Sequence, residues 1–179
     1  AHALAICRDH QSAGCRIRSR RRACFELDAS PINPIPGGTP IVPETDGLES
    51  AKVFTLRNFE DMRNIHTFIE AESPKSCVIV GAGFIGLEMA ENLVDLGIKV
   101  TLVEKSPQVM NILDVDSSDI VEKELHEHGV KVYKENFITH VDGRNISLDQ
   151  GEKLEADFIL MSVGVSPSTE LASEAGLTI

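Results

Sequence analysis

The sequence predicts an α/β protein built on a parallel sheet, with helices on one face and a small antiparallel β layer on the other. Three observations carry this expectation. Short apolar runs alternate with segments of helical period between Val53 and Tyr133, the pattern of strands joined by crossover helices. The apolar run Cys77–Val80 passes through Gly81, Gly83 and Gly86 into a helix, which is the strand–turn–helix opening of a Rossmann-like unit. Two further runs flank Asp142-Gly143 before a last apolar run, so the chain makes an antiparallel hairpin excursion and then returns to the sheet.

Each element has its own warrant. Residues 35–46, IPGGTPIVPETD, are rich in Pro and Gly and read as an extended connection with turns. Val53–Leu56 is a short strand. Asn58 caps the next helix with Asp61 at its third position, Met62, Ile65 and Ile69 form the buried stripe, and Ser73-Pro74 ends it. Cys77–Val80 is short and apolar throughout, as a strand covered on both faces must be. The helix after it has a small packing face at Gly86, Ala90, Leu93 and Gly97 and a polar face at Glu88, Glu91, Asn92 and Asp95. Lys99–Val103 is the next strand, closed by Glu104. Asp116 caps a helix to about His128 whose apolar face is Ile120, Val121 and Leu125, and Gly129 stops it. Val130–Tyr133 is a third strand. Phe137–Val141 and Asn145–Leu148 form the hairpin, Phe158–Val163 closes the sheet at Gly164, and Leu171–Ala175 is a short helix ending at Gly176.

The glycine turn carries the chemistry. Gly81 lets the chain leave the strand sharply, Gly83 lets a pyrophosphate approach the backbone, and Gly86 lets the helix lie against the sheet. The helix opening at Phe84 aims free N–H groups at that phosphate. Glu104 lies 18 residues beyond Gly86, close to the offset of the acid that accepts hydrogen bonds from an adenosine ribose. A carboxylate there repels a 2′-phosphate, which favours NAD(H) over NADP(H); the neighbouring cation of Lys105 works against that repulsion. Gly81, Ala82, Gly83, Phe84, Ile85, Gly86, Glu104 and Lys105 are therefore candidate cofactor-binding residues. The alternative is a strand–helix unit that binds no nucleotide.

Composition bounds the rest. At 179 residues the chain can bury one good core with a small appendage. A net charge of −11 argues against nucleic acid as a partner, and no apolar run approaches the length of a membrane span. Residues 1–34 stand apart: they hold Arg8, Arg16, Arg18, Arg20, Arg21 and Arg22, and also Cys7, Cys15 and Cys24. They show no helix or strand period and read as poorly ordered or foreign to the native frame, with a basic targeting segment as the alternative. The chain does not begin with Met, so it reads as incomplete at this end. No cysteine spacing matches a zinc or redox pair, and the thiols read as reduced in a cytoplasm. Cys77, at the start of a buried strand, reads as structural. No metal site is expected.

GAGFIGLEMAENL, LVEKSPQVM, ADFILMSVGVSP and PGGTPIVP followed by VFTLRN together resemble the FAD-dependent pyridine nucleotide-disulfide oxidoreductases, and within them the coenzyme A disulfide reductase and NADH oxidase branch. The resemblance covers roughly residues 35–179. It implies a fragment centred on the NAD(H)-binding domain: an atypical Arg-rich segment over 1–34, a connector from an FAD domain over 35–72, the NAD(H) domain over 73–165, and the start of the return to an FAD domain over 166–179. It implies NAD(H) as the ligand of this chain, with FAD held only by the full-length parent, a homodimer. It places Phe84 as an aromatic shield of the nicotinamide pocket, Glu88 as an acid facing a flavin-domain lysine, and Gly164 where backbone nears the nucleotide. No catalytic residue is assigned. A non-catalytic nucleotide-binding or redox-sensing module, or an inert truncated product, is the alternative.

Overall fold

The structure, a computed structural model, describes residues 37–176 and 178 and, before them, the strands Arg16–Arg18 (β1) and Cys24–Glu26 (β2). The chain divides into two compact units, Gly37–Ser168 and the two terminal segments together. In the terminal unit β1 and β2 pair antiparallel, with Ile17 opposite Phe25. The sequence reading anticipated no strand there. The remainder of what it expected of residues 1–34 falls outside the described residues.

The larger unit runs β3 (Gly38–Pro40), a 3-10 turn (Leu48–Ser50), β4 (Val53–Thr55), α1 (Phe59–Glu72), β5 (Ser76–Val80), α2 (Phe84–Asp95), β6 (Lys99–Val103), α3 (Val115–Glu127) and β7 (Lys131–Tyr133). It continues β8 (Ile138–Asp142), β9 (Asn145–Leu148), β10 (Lys153–Glu155), β11 (Phe158–Met161) and β12 (Val165–Pro167). A last short helix, α4 (Glu170–Glu174), belongs to the terminal unit.

Five strands form one sheet in the order β4-β11-β5-β6-β7, and every pairing in it is parallel. Side-chain alternation then assigns each strand residue to a face. Cys77 and Ile79 of β5, Val100 and Leu102 of β6, and Phe158 and Leu160 of β11 pack with Ile65, Ala90 and Leu93 of the helices. Val78, Val80, Ile159 and Met161 face the other way and pack against Ile138, Val141, Ile146 and Leu148 of the antiparallel sheet β10-β9-β8. The fold is therefore α/β, with helices on one face of a parallel Rossmann-like sheet and a small antiparallel layer on the other. The segment from Val53 to Glu72, expected as part of a connector, supplies edge strand β4 and helix α1 to this unit. Phe54, Phe68 and Phe158 meet there, with ring centroids 5.2–5.9 Å apart.

Local chemistry explains the element ends. Asn58 and Asp61 form a reciprocal capping box at the start of α1, as expected. Of the expected stripe Ile65 is buried, at 3 % exposure, Ile69 is half-buried against the same core, and Met62 is 43 % exposed. Phe68, outside the expected stripe, packs against the core through the aromatic cluster. Gly97 does not pack against the sheet: at φ 77° it ends α2, where its N–H bonds to the Val94 carbonyl and that of Ile98 to the Leu93 carbonyl. The cap of α3 is Asp114, whose side chain accepts the Ser117 N–H at 2.8 Å; Asp116 lies in the first turn. Val121 and Leu125 pack against the core as expected, but Ile120, well around the helix from both, is 70 % exposed. The hairpin turn falls at Gly143-Arg144, with Asp142 opposite Asn145. Strands β3, β10 and β12 were not foreseen.

Candidate dinucleotide-binding site

The C-terminal ends of β5 and β6 and the N-terminus of α2 build the site. Gly81 leaves β5 at φ 99°, and its N–H bonds to the Val103 carbonyl at 2.8 Å. A Cβ on Gly81 would lie 2.6 Å from the Ser162 carbonyl oxygen, and one on Gly86 would lie 2.0 Å from the Gly81 carbonyl oxygen. Both glycines are thus required by the protein's own backbone. Gly83 is different. Its φ of −86° is open to any residue, and a Cβ there would meet nothing within 4 Å. Packing within the protein does not require glycine at this position, and the bare backbone leaves room for a ligand to lie close. Gly83 is also the N-cap of α2, and no side chain caps the helix, so the first N–H groups of the helix are left for an anion.

Glu104 adjoins this turn. Its Oε2 accepts the Ala82 N–H at 2.7 Å and its Oε1 accepts the Ser106 N–H at 2.7 Å. Its backbone is held as well, donating to Tyr133 and accepting from Asn136. Each carboxylate oxygen retains a lone pair for a ribose hydroxyl. The residues present therefore fit a dinucleotide: an open backbone for the pyrophosphate and a fixed acceptor for the ribose.

The other candidates divide. Ala82 is 1 % exposed and its N–H is spent on Glu104. Phe84 and Ile85 open α2 with exposures of 66 % and 42 %, and Glu88 lies exposed one turn further on. Lys105 is exposed beside Glu104. Gly164 has φ 113°, and its carbonyl accepts the Ile41 N–H at 3.0 Å. Sequence reasoning missed Ser162, whose hydroxyl lies 2.9 Å from the carbonyl oxygens of both Val80 and Gly81. It also missed Met110, whose N–H bonds to the Ala82 carbonyl at 2.8 Å. Cys77 is 1 % exposed and burial pushes its thiol far up, against a smaller opposing effect of the Leu160 backbone, so it is an inert core residue. Among the described residues no group of three or more His, Cys, Asp or Glu could hold a metal ion, and no helix is long and apolar enough to cross a membrane.

A parallel sheet covered on both faces, with this turn at its strand ends, is the architecture of a dinucleotide-binding class of domain. Residues 36–179 match the model of the pyridine nucleotide-disulphide oxidoreductases, and the chain belongs to that family. It is 36% identical over 160 residues to an NADH oxidase of Methanocaldococcus jannaschii, covering 87% of this chain and 36% of that protein. It is 30% identical over 133 residues to a coenzyme A disulfide reductase of Staphylococcus aureus, covering 74% of this chain and 30% of that one. The chain thus spans about a third of the length of these curated relatives. Among solved structures, reduced CoADR-RHD of Bacillus anthracis superposes with a TM-score of 0.78 and 38% identity over 80% of this chain and 26% of its own. A water-forming NADH oxidase from Lactobacillus brevis bound to NADH gives 0.71 and 29%, over 77% of this chain and 31% of its own.

Proposed function

We propose that this chain is the NAD(H)-binding domain of a flavin-dependent oxidoreductase whose electrons pass to a disulfide, a persulfide or oxygen. Support comes from the family, from relatives named NADH oxidase and coenzyme A disulfide reductase, and above all from Gly83, beside which the protein leaves open space at an uncapped helix N-terminus. NADH supplies hydride, and FAD, held by the parent, accepts it. The chain's own work is placement. Gly83 and the free N–H groups of Phe84 and Ile85 seat the pyrophosphate, while Gly81 and Gly86 allow the turn. Glu104 accepts the ribose hydroxyls and disfavours a 2′-phosphate. Phe84 shields the nicotinamide end, Glu88 faces the flavin domain, and Gly164 lets the backbone lie close to the nucleotide. In this reading the unit Gly37–Ser168, with β4 and α1 of the expected connector built into it, holds NAD(H), and the chain after it leads back to the flavin domain.

The purified chain is expected to be colourless, to bind NADH, and to consume none of it with a disulfide or with oxygen. A hydride donor without an acceptor held at reacting distance loses the advantage of proximity. The test is absorbance in the flavin band after desalting, followed by NADH consumption. A yellow chain holding stoichiometric FAD would overturn the division of labour.

A further inference from the structure

The Gly81–Ala82 peptide at the head of the glycine turn is buried and is held at both of its ends. On the N–H side, Ala82 donates to Glu104 Oε2 at 2.7 Å. On the carbonyl side, the oxygen of Gly81 lies 2.9 Å from the hydroxyl of Ser162, the residue that follows β11. That hydroxyl lies equally far from the Val80 carbonyl, but it has one proton to give. The Val80 oxygen already accepts the Ser162 N–H at 2.8 Å, whereas no other donor among the described residues bonds the Gly81 oxygen. The proton is therefore worth most on Gly81, where its loss would leave a buried acceptor unpaired. The hydroxyl is wedged against the start of α2: a Cβ on Gly86 would come within 2.9 Å of its oxygen.

Glycine by itself restrains this peptide plane little, and Gly81 stands at φ 99°. Turned over, the peptide would withdraw its N–H from Glu104 and set its carbonyl dipole against the carboxylate. We infer that Ser162 is a positioning residue for nucleotide recognition: by holding the Gly81 carbonyl it keeps the Ala82 N–H on Glu104, and so keeps that carboxylate aimed at the ribose. The inference rests on the dinucleotide reading above and deepens it, since Ser162 acts through Glu104.

Ser162→Ala removes the hydroxyl and little else, and two measurements follow its effect. The first needs no nucleotide. In the ¹H–¹⁵N spectrum the Ala82 amide proton, which faces a carboxylate at 2.7 Å, is expected far downfield in the parent and shifted upfield in Ser162→Ala. The second is calorimetric titration of NADH and NADPH into both proteins. NADH is expected to bind Ser162→Ala about threefold to tenfold more weakly, the worth of one such hydrogen bond. NADPH, whose 2′-phosphate Glu104 disfavours, is expected to bind both alike, so the preference for NADH falls. Circular dichroism confirms the fold; Ser162→Cys keeps the shape with a weaker donor and makes the same comparison where Ser162→Ala does not fold. An unmoved Ala82 amide, an unchanged affinity for NADH, or an equal loss for both nucleotides in a folded variant overturns the inference and leaves the dinucleotide reading standing. Absence of NADH binding by the unaltered chain overturns both.

Discussion

The backbone N–H of Ala82 donates a 2.7 Å hydrogen bond to Oε2 of Glu104, tying the glycine turn to the acid at the end of the neighbouring strand. Ser106 donates to the other oxygen. Glu104, the proposed ribose acceptor, is therefore also a clamp between two loops. Glu104→Gln keeps the shape but puts an amide N–H₂ against one of two backbone N–H donors. It is expected to cost about 1–3 kcal/mol of stability, well beyond the usual effect of a surface substitution. Urea unfolding of parent and variant checks this; equal midpoints would show that the clamp contributes nothing.

Glu104 is also expected to set cofactor choice. The parent should bind NADH more tightly than NADPH, and Glu104→Ala should shrink that preference. Loss of a ribose hydrogen bond to a charged acceptor should weaken NADH by about 1.5–3 kcal/mol. Calorimetric titration of both nucleotides decides; a parent that binds them equally contradicts the assignment, and the counterweight would then be Lys105.

The three glycines should separate by assay. Gly86→Ala places a Cβ 2.0 Å from the Gly81 carbonyl oxygen, so it is expected to destabilise or unfold the chain. Gly83→Ala meets no protein atom within 4 Å and is expected to leave the melting temperature within about 2 °C of the parent, as a change of a few tenths of a kcal/mol would. A large loss of stability in Gly83→Ala would mean that the protein, and not a ligand, requires that glycine.

Asp157 pins the opposite end of the sheet. Its Oδ2 accepts the N–H groups of Lys75 and Ser76 at 2.8 and 2.9 Å, and Arg144 lies 2.9 Å from Oδ1. Burial pushes its carboxyl up, but these hydrogen bonds and the Arg144 charge outweigh burial and hold it below its ordinary 3.8. A lowered folded value means stability that is fully present above about pH 3.8 and lost as pH falls through the folded value. Asp157→Ala should cost about 2–3 kcal/mol at neutral pH, with the gap from the parent closing in acid. A gap independent of pH would contradict the charge-based account.

Much of this was legible in the chain because it is local. The capping box at Asn58, the hairpin (though its turn falls one residue later, at Gly143-Arg144), the acid after Val103 and the glycine spacing each need only neighbouring residues. What was missed depends on partners far along the chain. Ser162 completes the turn only because β11 lies beside β5, and β3 becomes a strand only because β12 returns to it. Asp114 and Asp116 are equally good caps by composition, and only the structure chooses between them; Ile120 was miscast because at 3.6 residues per turn it lies well around the helix from both Val121 and Leu125, which pack against the core. Gly97 read as packing because helical spacing continued through it, whereas its positive φ marks the helix end.

The central claim is that Gly83 leaves space for the pyrophosphate of a bound NADH. Calorimetric titration of NADH into the parent and into Gly83→Val tests it most directly, with circular dichroism on both. One site in the parent and none in a folded Gly83→Val is the predicted result. A folded variant that binds NADH as tightly as the parent would show that the nucleotide, if it binds, lies elsewhere.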